Sequence, residues 1–271
     1  MQYLEELFSL SGHTAVVAGG AGAIGTVMSD ALLRAGAKVV VLSRTKKSID
    51  GFLTRYRDEP ELSSRIHGIA IDCSDEAALQ AAFEETAERF SPPDILIDGV
   101  GGNRGKSSFI DMDIDTFRQV LDLNLIGGLV IPTKVFCRKW IALGIKGCII
   151  NLTSMASYMP LSGVWAYDAA KAATLNLTMA AAKEFAPHGI RVNAIAPGFF
   201  IGKQNKSLLI DDKSGDYTDR GKAVLHHTPF DRFGDVAELA GATVFLASPK
   251  ASGFVTGVSI PVDGGYLVHN I

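Results

Sequence analysis

Short apolar runs rich in Val, Ile and Ala recur along this chain, each followed by a helix-compatible stretch, and that alternation restricts the fold more than any other feature. "TAVVAGG" (14–20), "KVVVLS" (38–43), "RIHGIAID" (65–72), "DILIDGV" (94–100), "GCIINLTS" (147–154) and "IRVNAIAP" (190–197) read as strands. Helices are expected from about Gly22 to Ala35, then to about Asp58, over 75–90, around 115–140 and around 164–186. Strands this uniformly apolar need cover on both faces of their sheet. The repeated strand–helix order predicts parallel pairing through right-handed crossovers, a Rossmann-type doubly wound α/β sheet flanked by helices on both faces. No linker, repeat or low-complexity tract interrupts it, so residues 1–271 are expected to form a single domain.

With 47% hydrophobic residues, 271 residues supply one sizeable core. A net charge of −3 gives no global field that would recruit nucleic acid or an anionic membrane surface. Cys73, Cys137 and Cys148 are widely spaced and odd in number, which suits buried free thiols in a reducing cytosol better than a disulfide framework. The N-terminal "MQYLEELFSLSGHT" is acidic where a signal peptide is basic. The longest apolar candidate, 164–186, is interrupted by Asp168, Lys171 and Lys183, short of the roughly 20 apolar residues that span a bilayer. The expectation is a soluble cytoplasmic protein without nucleic-acid or membrane partners. Residues 199–222 are polar and long for a connection, as in a lid or binding loop, and "GFVTGVSIPVDGGY" returns to strand character.

"VVAGGAGAIG" (16–25) ends the first strand and opens a helix. Gly19 permits a sharp turn there, and the neighbouring glycines let backbone N–H groups approach a pyrophosphate at the positive helix end. About 20 residues on, where a carboxylate would grip a ribose 2′-hydroxyl, stand Ser43 and Arg44. A hydroxyl and a guanidinium suit a 2′-phosphate, so NADP(H) is favoured and NAD(H) is the alternative.

In "WAYDAAKAATLN" (165–176), Tyr167 and Lys171 lie one helical turn apart on one face. A free phenol titrating near 10 is a poor proton carrier at neutral pH. An adjacent ammonium would pull that value down and make Tyr167 a usable acid and base.

Taken together, these landmarks resemble the short-chain dehydrogenase/reductase family over almost the whole chain. "AGGAGAIG" (18–25) is similar to its TGxxxGxG turn, with Ala18 for Thr and Ala23 for the middle Gly. "LDLNLIG" with Asn124, "NLTS" ending at Ser154, "YDAAK" from Tyr167 to Lys171 and "VNAIAPG" through Gly198 follow in the family's order. "DGVG" (98–101) departs from the usual NNAG. The resemblance implies that 1–153 is mainly the dinucleotide-binding half and 154–271 the catalytic and substrate-binding half. It implies cofactor contacts at Gly19, Ala23, Ile24, Gly25, Ser43, Arg44, Asp72 (toward adenine), Cys73, Gly99, Val100, Gly101, Tyr167, Lys171, Pro197, Gly198 and Phe200.

It further implies that nicotinamide supplies a hydride and Tyr167 the proton. Ser154 would stabilise the substrate oxygen, Lys171 would also bind the nicotinamide ribose, and Asn124 would hold a water linking Lys171 to solvent.

Within the family, "GVGGNRG" (99–105), "HTPFDRFG" (227–234) and "KASGFVTGVSIPVDGG" (250–265) are similar to the D-mannonate oxidoreductase (fructuronate reductase) members, although Gly202 stands where most of these carry Thr. A sugar acid needs a cation for its carboxylate. Asn103, Arg104 and Lys106 after the fourth strand, and Lys203, Gln204, Asn205 and Arg220 in the long loop, are the candidates, with Ser154 on the reacting oxygen. His226 and His227 are adjacent and face apart, a poor metal pair; no metal site is expected. Gluconate 5-dehydrogenase, another polyol-acid dehydrogenase, a 3-oxoacyl carrier-protein reductase and a non-catalytic cofactor sensor stand as alternatives. The family resemblance also implies a homotetramer.

Overall fold

Among the described residues, seven strands form one sheet: β1 (Thr14–Ala18), β2 (Lys38–Ser43), β3 (Ile66–Ala70), β4 (Ile95–Asp98), β5 (Cys148–Leu152), β6 (Arg191–Pro197) and β7 (Ser259–Val262). All ladders are parallel, in the order β3-β2-β1-β4-β5-β6-β7. The computed structural model describes residues 2–202, 209–211 and 214–269. Strand order reverses between β1 and β4, so their C-terminal ends diverge and open the crevice in which such sheets bind ligands.

Around the sheet run α1 (Gln2–Phe8), α2 (Ala23–Arg34), α3 (Lys46–Leu53), α4 (Pro60–Ser63), α5 (Glu76–Arg89), α6 (Ile114–Leu121), α7 (Ile131–Leu143), α8 (Trp165–Phe185), α9 (Asp219–His226), α10 (Leu239–Ala247) and α11 (Pro249–Ser252).

Alternation along β1 builds the core. Ala15 and Val17 face one layer with Met28, Leu32 and Leu33 of α2 and Leu239 and Leu246 of α10. Val16 and Ala18 face the other, with Leu79 and Phe83 of α5 and Phe136 and Trp140 of α7. Successive strand side chains point to opposite faces, so an unbroken apolar strand serves two cores at once. Each fully buried Val, Leu or Phe side chain contributes about 1.5–3 kcal/mol relative to exposure.

The helix expected around 115–140 is three pieces. A π-helical turn, Asp122–Val130, separates α6 from α7. Pro132 in the first turn of α7 has no N–H to donate, and its ring crowds the carbonyl four residues back, which the wider turn accommodates. Gly128 fits this turn against β4's loop, since a Cβ there would fall 2.6 Å from the Val100 carbonyl oxygen.

The continuous run Ile114–Leu143, rather than 164–186, is the stretch long and apolar enough to cross a membrane by length and composition. Of its apolar stretch, 56% is buried within the fold, as in a core helix.

The loop expected over 199–222 is shorter at its far end. Thr218 caps α9 by accepting from the Gly221 N–H at 3.0 Å, so helix begins at Asp219. The α10 segment "LAGATVFLA" is apolar almost all round, and it packs on the sheet beside α2 without the polar stripe that marks a surface helix.

Candidate active site

The crevice is shaped by missing side chains. Gly19 leaves β1 at φ +72°, and a Cβ there would lie 2.8 Å from the Gly99 carbonyl oxygen. A Cβ on Gly25 would lie 2.2 Å from the Gly19 carbonyl oxygen, so the β1 turn and the first turn of α2 touch through backbone alone. Gly22 caps α2 without a side-chain hydrogen bond, which leaves first-turn N–H groups for an anion. Ala23 opens the helix, while the Ile24 side chain packs against the core. This cradle fits a dinucleotide pyrophosphate.

At the end of β2, Ser43 is half-buried and Arg44 exposed. Asp72 lies within electrostatic reach of Arg44; its Oδ1 accepts from the Ser74 N–H (2.9 Å) and hydroxyl (2.7 Å). Those bonds, with Arg44 adding a smaller share, hold the Asp72 carboxyl below its ordinary range. Cys73 turns its side chain into the core, and burial pushes the thiol up to about 12, which leaves only its backbone toward the crevice. Pro197 and Gly198 end β6, and a Cβ on Gly198 would lie 2.6 Å from the Asp263 Cα. The Phe200 ring packs under Gly234 and into the core, so it forms a wall of this region.

Asp98, at the "DGVG" departure, is 2% exposed. Its Oδ2 accepts from the Thr133 hydroxyl at 3.3 Å, and Oδ1 has no partner among the described residues. Burial drives this carboxyl well above the ordinary carboxylate range.

The structure brings Ser154, Tyr167 and Lys171 together. Ser154 lies close enough to Tyr167 to act on its phenol, and it caps the 3-10 turn Met155–Ser157 by accepting from the Ala156 N–H at 3.2 Å. Lys171 is 5% exposed; its Nζ donates to the Leu152 carbonyl at 2.7 Å and lies 5.8 Å from the Tyr167 ring centroid. A Cβ on Gly101 would approach Nζ to 3.5 Å, so the β4 loop passes directly beside the ammonium.

One expectation needs correction. Burial raises the Tyr167 phenol, with Ser154 offsetting part of that rise, instead of Lys171 lowering it. Lys171 spends its donor on Leu152 and faces the ring, and burial lowers the ammonium itself to about 8. The Asn124 side chain holds backbone, so a water held by Asn124 would sit on its main chain. Its Oδ1 accepts from the Gly102 N–H (2.9 Å), and its Nδ2 donates to Gly102 O (2.7 Å) and Val120 O (2.8 Å).

Asn103 and Arg104 are exposed at the rim of a cleft of about 220 Å³, with Lys106, Thr116 and Trp165. Asn103 donates to the Gly105 carbonyl at 2.9 Å. Arg220 lies in α9, within electrostatic reach of Tyr266. Lys203, Gln204 and Asn205 lie outside the described residues.

Sequence reasoning passed over Ser157, whose hydroxyl accepts from the Ser154 N–H (3.2 Å) and donates to the Lys171 carbonyl (2.6 Å). Its signal was its place three residues after a capping Ser.

A glycine-built dinucleotide cradle at the switch point, with a Ser–Tyr–Lys cluster beside it, defines a nicotinamide-dependent oxidoreductase. The chain belongs to the short-chain dehydrogenase/reductase family: the family model described as Enoyl-(Acyl carrier protein) reductase matches residues 19–267. The oxidoreductase UxuB of Bacillus subtilis, itself uncharacterized, is 37% identical, with 97% of each chain covered. A Haemophilus influenzae structure with bound NAD, assigned as a D-mannonate oxidoreductase, superposes with a TM-score of 0.88 at 31% identity, covering 98% of this chain and 99% of that one. A gluconate 5-dehydrogenase from Burkholderia cenocepacia, in complex with NADP and tartrate, gives a TM-score of 0.87 at 31% identity, covering 98% and 100%.

Proposed function

We propose that this chain is an NADP(H)-preferring sugar-acid oxidoreductase that interconverts D-fructuronate and D-mannonate. The observation that carries the substrate class is the rim of the cleft: Asn103, Arg104 and Lys106 stand on the loop after β4, a few residues beyond Gly101 beside Lys171. Two cations with an amide suit a carboxylate flanked by hydroxyls. Arg104 is the principal partner of that carboxylate, and Gln204 and Asn205 contribute to hydroxyl recognition.

Nicotinamide, when bound, supplies the hydride. Ser154 holds the substrate oxygen beside the Tyr167 hydroxyl, and Tyr167 gives that oxygen its proton. Lys171, its ammonium held between the Leu152 carbonyl and the Tyr167 ring, binds the nicotinamide ribose. Ser43 and Arg44 at the end of β2 support the preference for a 2′-phosphate, since the strand end carries no carboxylate to repel it. Exposed Ile126, Ile141 and Met179 on the helical faces support a homotetramer.

The likeness to a gluconate 5-dehydrogenase favours a second reading, in which the keto acid is a ketogluconate. Specificity constants for D-fructuronate, 5-ketogluconate and a 3-oxoacyl thioester, each with NADPH, separate the readings. The highest value should belong to D-fructuronate. A higher value for 5-ketogluconate moves the assignment to the second reading, and a higher value for the thioester removes the sugar-acid assignment.

A further inference from the structure

Between Gly102 and Ser107 the chain is fastened at both ends in the same way, with the N–H and C=O of one residue both engaged. At one end Asn124 takes both groups of Gly102. At the other, the Ser107 N–H donates to the Gly163 carbonyl at 3.2 Å, and the Ser107 carbonyl accepts from the Trp165 indole N–H at 3.1 Å. The Phe109 ring stands edge-on to Trp165, with centroids 5.3 Å apart and planes at 83°. Gly163, at φ +76°, leaves room for the Lys106 stem, whose Cγ would lie 2.8 Å from a Cβ placed there.

The arch so pinned carries Asn103, Arg104, Gly105 and Lys106. Among the described residues neither Arg104 nor Lys106 forms an ion pair; Arg104 Nη1 reaches only the neutral Gln119 Oε1, at 3.4 Å. The acids on the same cleft are engaged elsewhere. Asp111 accepts from the Ser108 hydroxyl at 2.5 Å, and Asp113 caps α6 on the Thr116 N–H at 2.7 Å. Trp165 lies two positions before Tyr167 in α8, about 200° around the helix. One helical turn therefore presents the proton donor on one side and the anchor of the cationic arch on another.

We infer that Trp165 is a positioning residue for anion specificity: through Ser107 and Phe109 it holds Arg104 and Lys106 at a fixed place relative to Tyr167, so that the enzyme selects polyhydroxy keto acids over neutral ketoses. The inference rests on the sugar-acid reading above. The indole acts through Ser107 and touches neither cofactor nor the reacting atoms. Losing its N–H frees one end of the arch while the α8 backbone stays in place, so carboxylate binding weakens and proton transfer does not.

The test compares wild type, Trp165→Phe, Arg104→Met and the double variant, with D-fructuronate and with neutral D-fructose under saturating NADPH. Trp165→Phe keeps an aromatic ring against Phe109 and removes only the donor. Its KM for D-fructuronate should rise about tenfold with kcat within twofold, and its D-fructose kinetics should not change. In the Arg104→Met background the same substitution should raise KM clearly less than it does in wild type, because the principal cation it positions is gone and only Lys106 remains.

An unchanged KM for the acid, equal losses on acid and neutral substrate, or full additivity in the double variant overturns the inference while the functional reading stands. If wild type does not reduce D-fructuronate, the functional reading fails. Calorimetric binding of D-mannonate to the protein–NADP⁺ complex then decides the inference: tenfold weaker binding in Trp165→Phe sustains it. Equal binding, or none to wild type, overturns it.

Discussion

Asn124 grips Gly102 by both of its backbone groups, at 2.9 and 2.7 Å, from inside a π-helical turn. The arrangement couples the helix layer to the loop that follows β4, and it uses all the polar atoms of the amide, the last bond going to the Val120 carbonyl. Any link from Asn124 to solvent near Lys171 must then run through its main chain, since the side chain serves as a bracket for the substrate-side loop.

Asn124→Ala should therefore cost stability as well as turnover. Three hydrogen bonds disappear, one buried and two part-buried, and the Gly102 groups lose their partner, for an expected loss of about 2–4 kcal/mol. Urea unfolding measures the loss. Hydrogen exchange at the Gly102 amide should rise in the same variant, and an unchanged exchange rate would show that another group holds the loop.

Asp98 predicts an unusual pH response. Its folded-state value is raised well above that of the unfolded chain. In strong acid both states hold the proton and nothing is lost. As pH rises past the ordinary carboxylate range only the unfolded state releases it, so stability falls toward neutrality. Asp98→Asn removes that penalty. Its melting temperature should exceed that of wild type at neutral pH, with the gap closing near about pH 3. A gap independent of pH, or a less stable variant at neutrality, contradicts a carboxyl raised by burial.

Lys171 should separate activity from stability. Its folded-state value is about 8, against 10.5 when unperturbed. Between these values the unfolded state keeps a proton that the folded state has released, so stability rises with pH across the window. Activity should move the other way: kcat/KM for NADPH in the reduction direction should fall above about pH 8 as the ammonium is lost. Lys171→Met should abolish turnover and flatten the alkaline rise in stability. A pH–rate profile level through pH 9 or so would contradict this assignment.

Arg44 should set cofactor preference. Arg44→Ala removes a charge-assisted bond to a 2′-phosphate, and the ratio of kcat/KM for NADPH over NADH should fall about 10- to 100-fold. Parallel kinetics with the two cofactors decide it, and an unchanged ratio would leave Arg44 a solvated cation.

Six strands stood out in the sequence because each is a short apolar run bounded by turn residues, "KVVVLS" matching β2 end to end, and the strand character of the tail "GFVTGVSIPVDGGY" holds the seventh, β7. The glycine cradle was equally visible, since a β turn opening a helix leaves glycines where Gly19 and Gly25 touch. The π-turn was hidden because Asn124 and Gly127 sit in a continuous apolar helix pattern, and only Pro132 hints at the defect. Helix α10 was missed because nearly every residue is apolar, which erases the periodicity that marks a helix. The Tyr167–Lys171 spacing correctly placed the two side chains side by side. The direction of the Tyr167 shift depended on burial and on where the Lys171 ammonium donates, and spacing carries neither.

In the proposed function, Tyr167 protonates a sugar-acid ketone as hydride arrives from the nicotinamide. The most direct measurement follows deuterium from 4-deuterated NADPH into product, by NMR, with D-fructuronate as substrate, in wild type and Tyr167→Phe. Deuterium should appear at the new carbinol carbon of D-mannonate with wild type. With Tyr167→Phe the rate should fall about 10²- to 10⁴-fold while NADPH binding is retained. Transfer at an undiminished rate without the phenol, or no transfer to D-fructuronate by the wild-type protein, would contradict the proposed function.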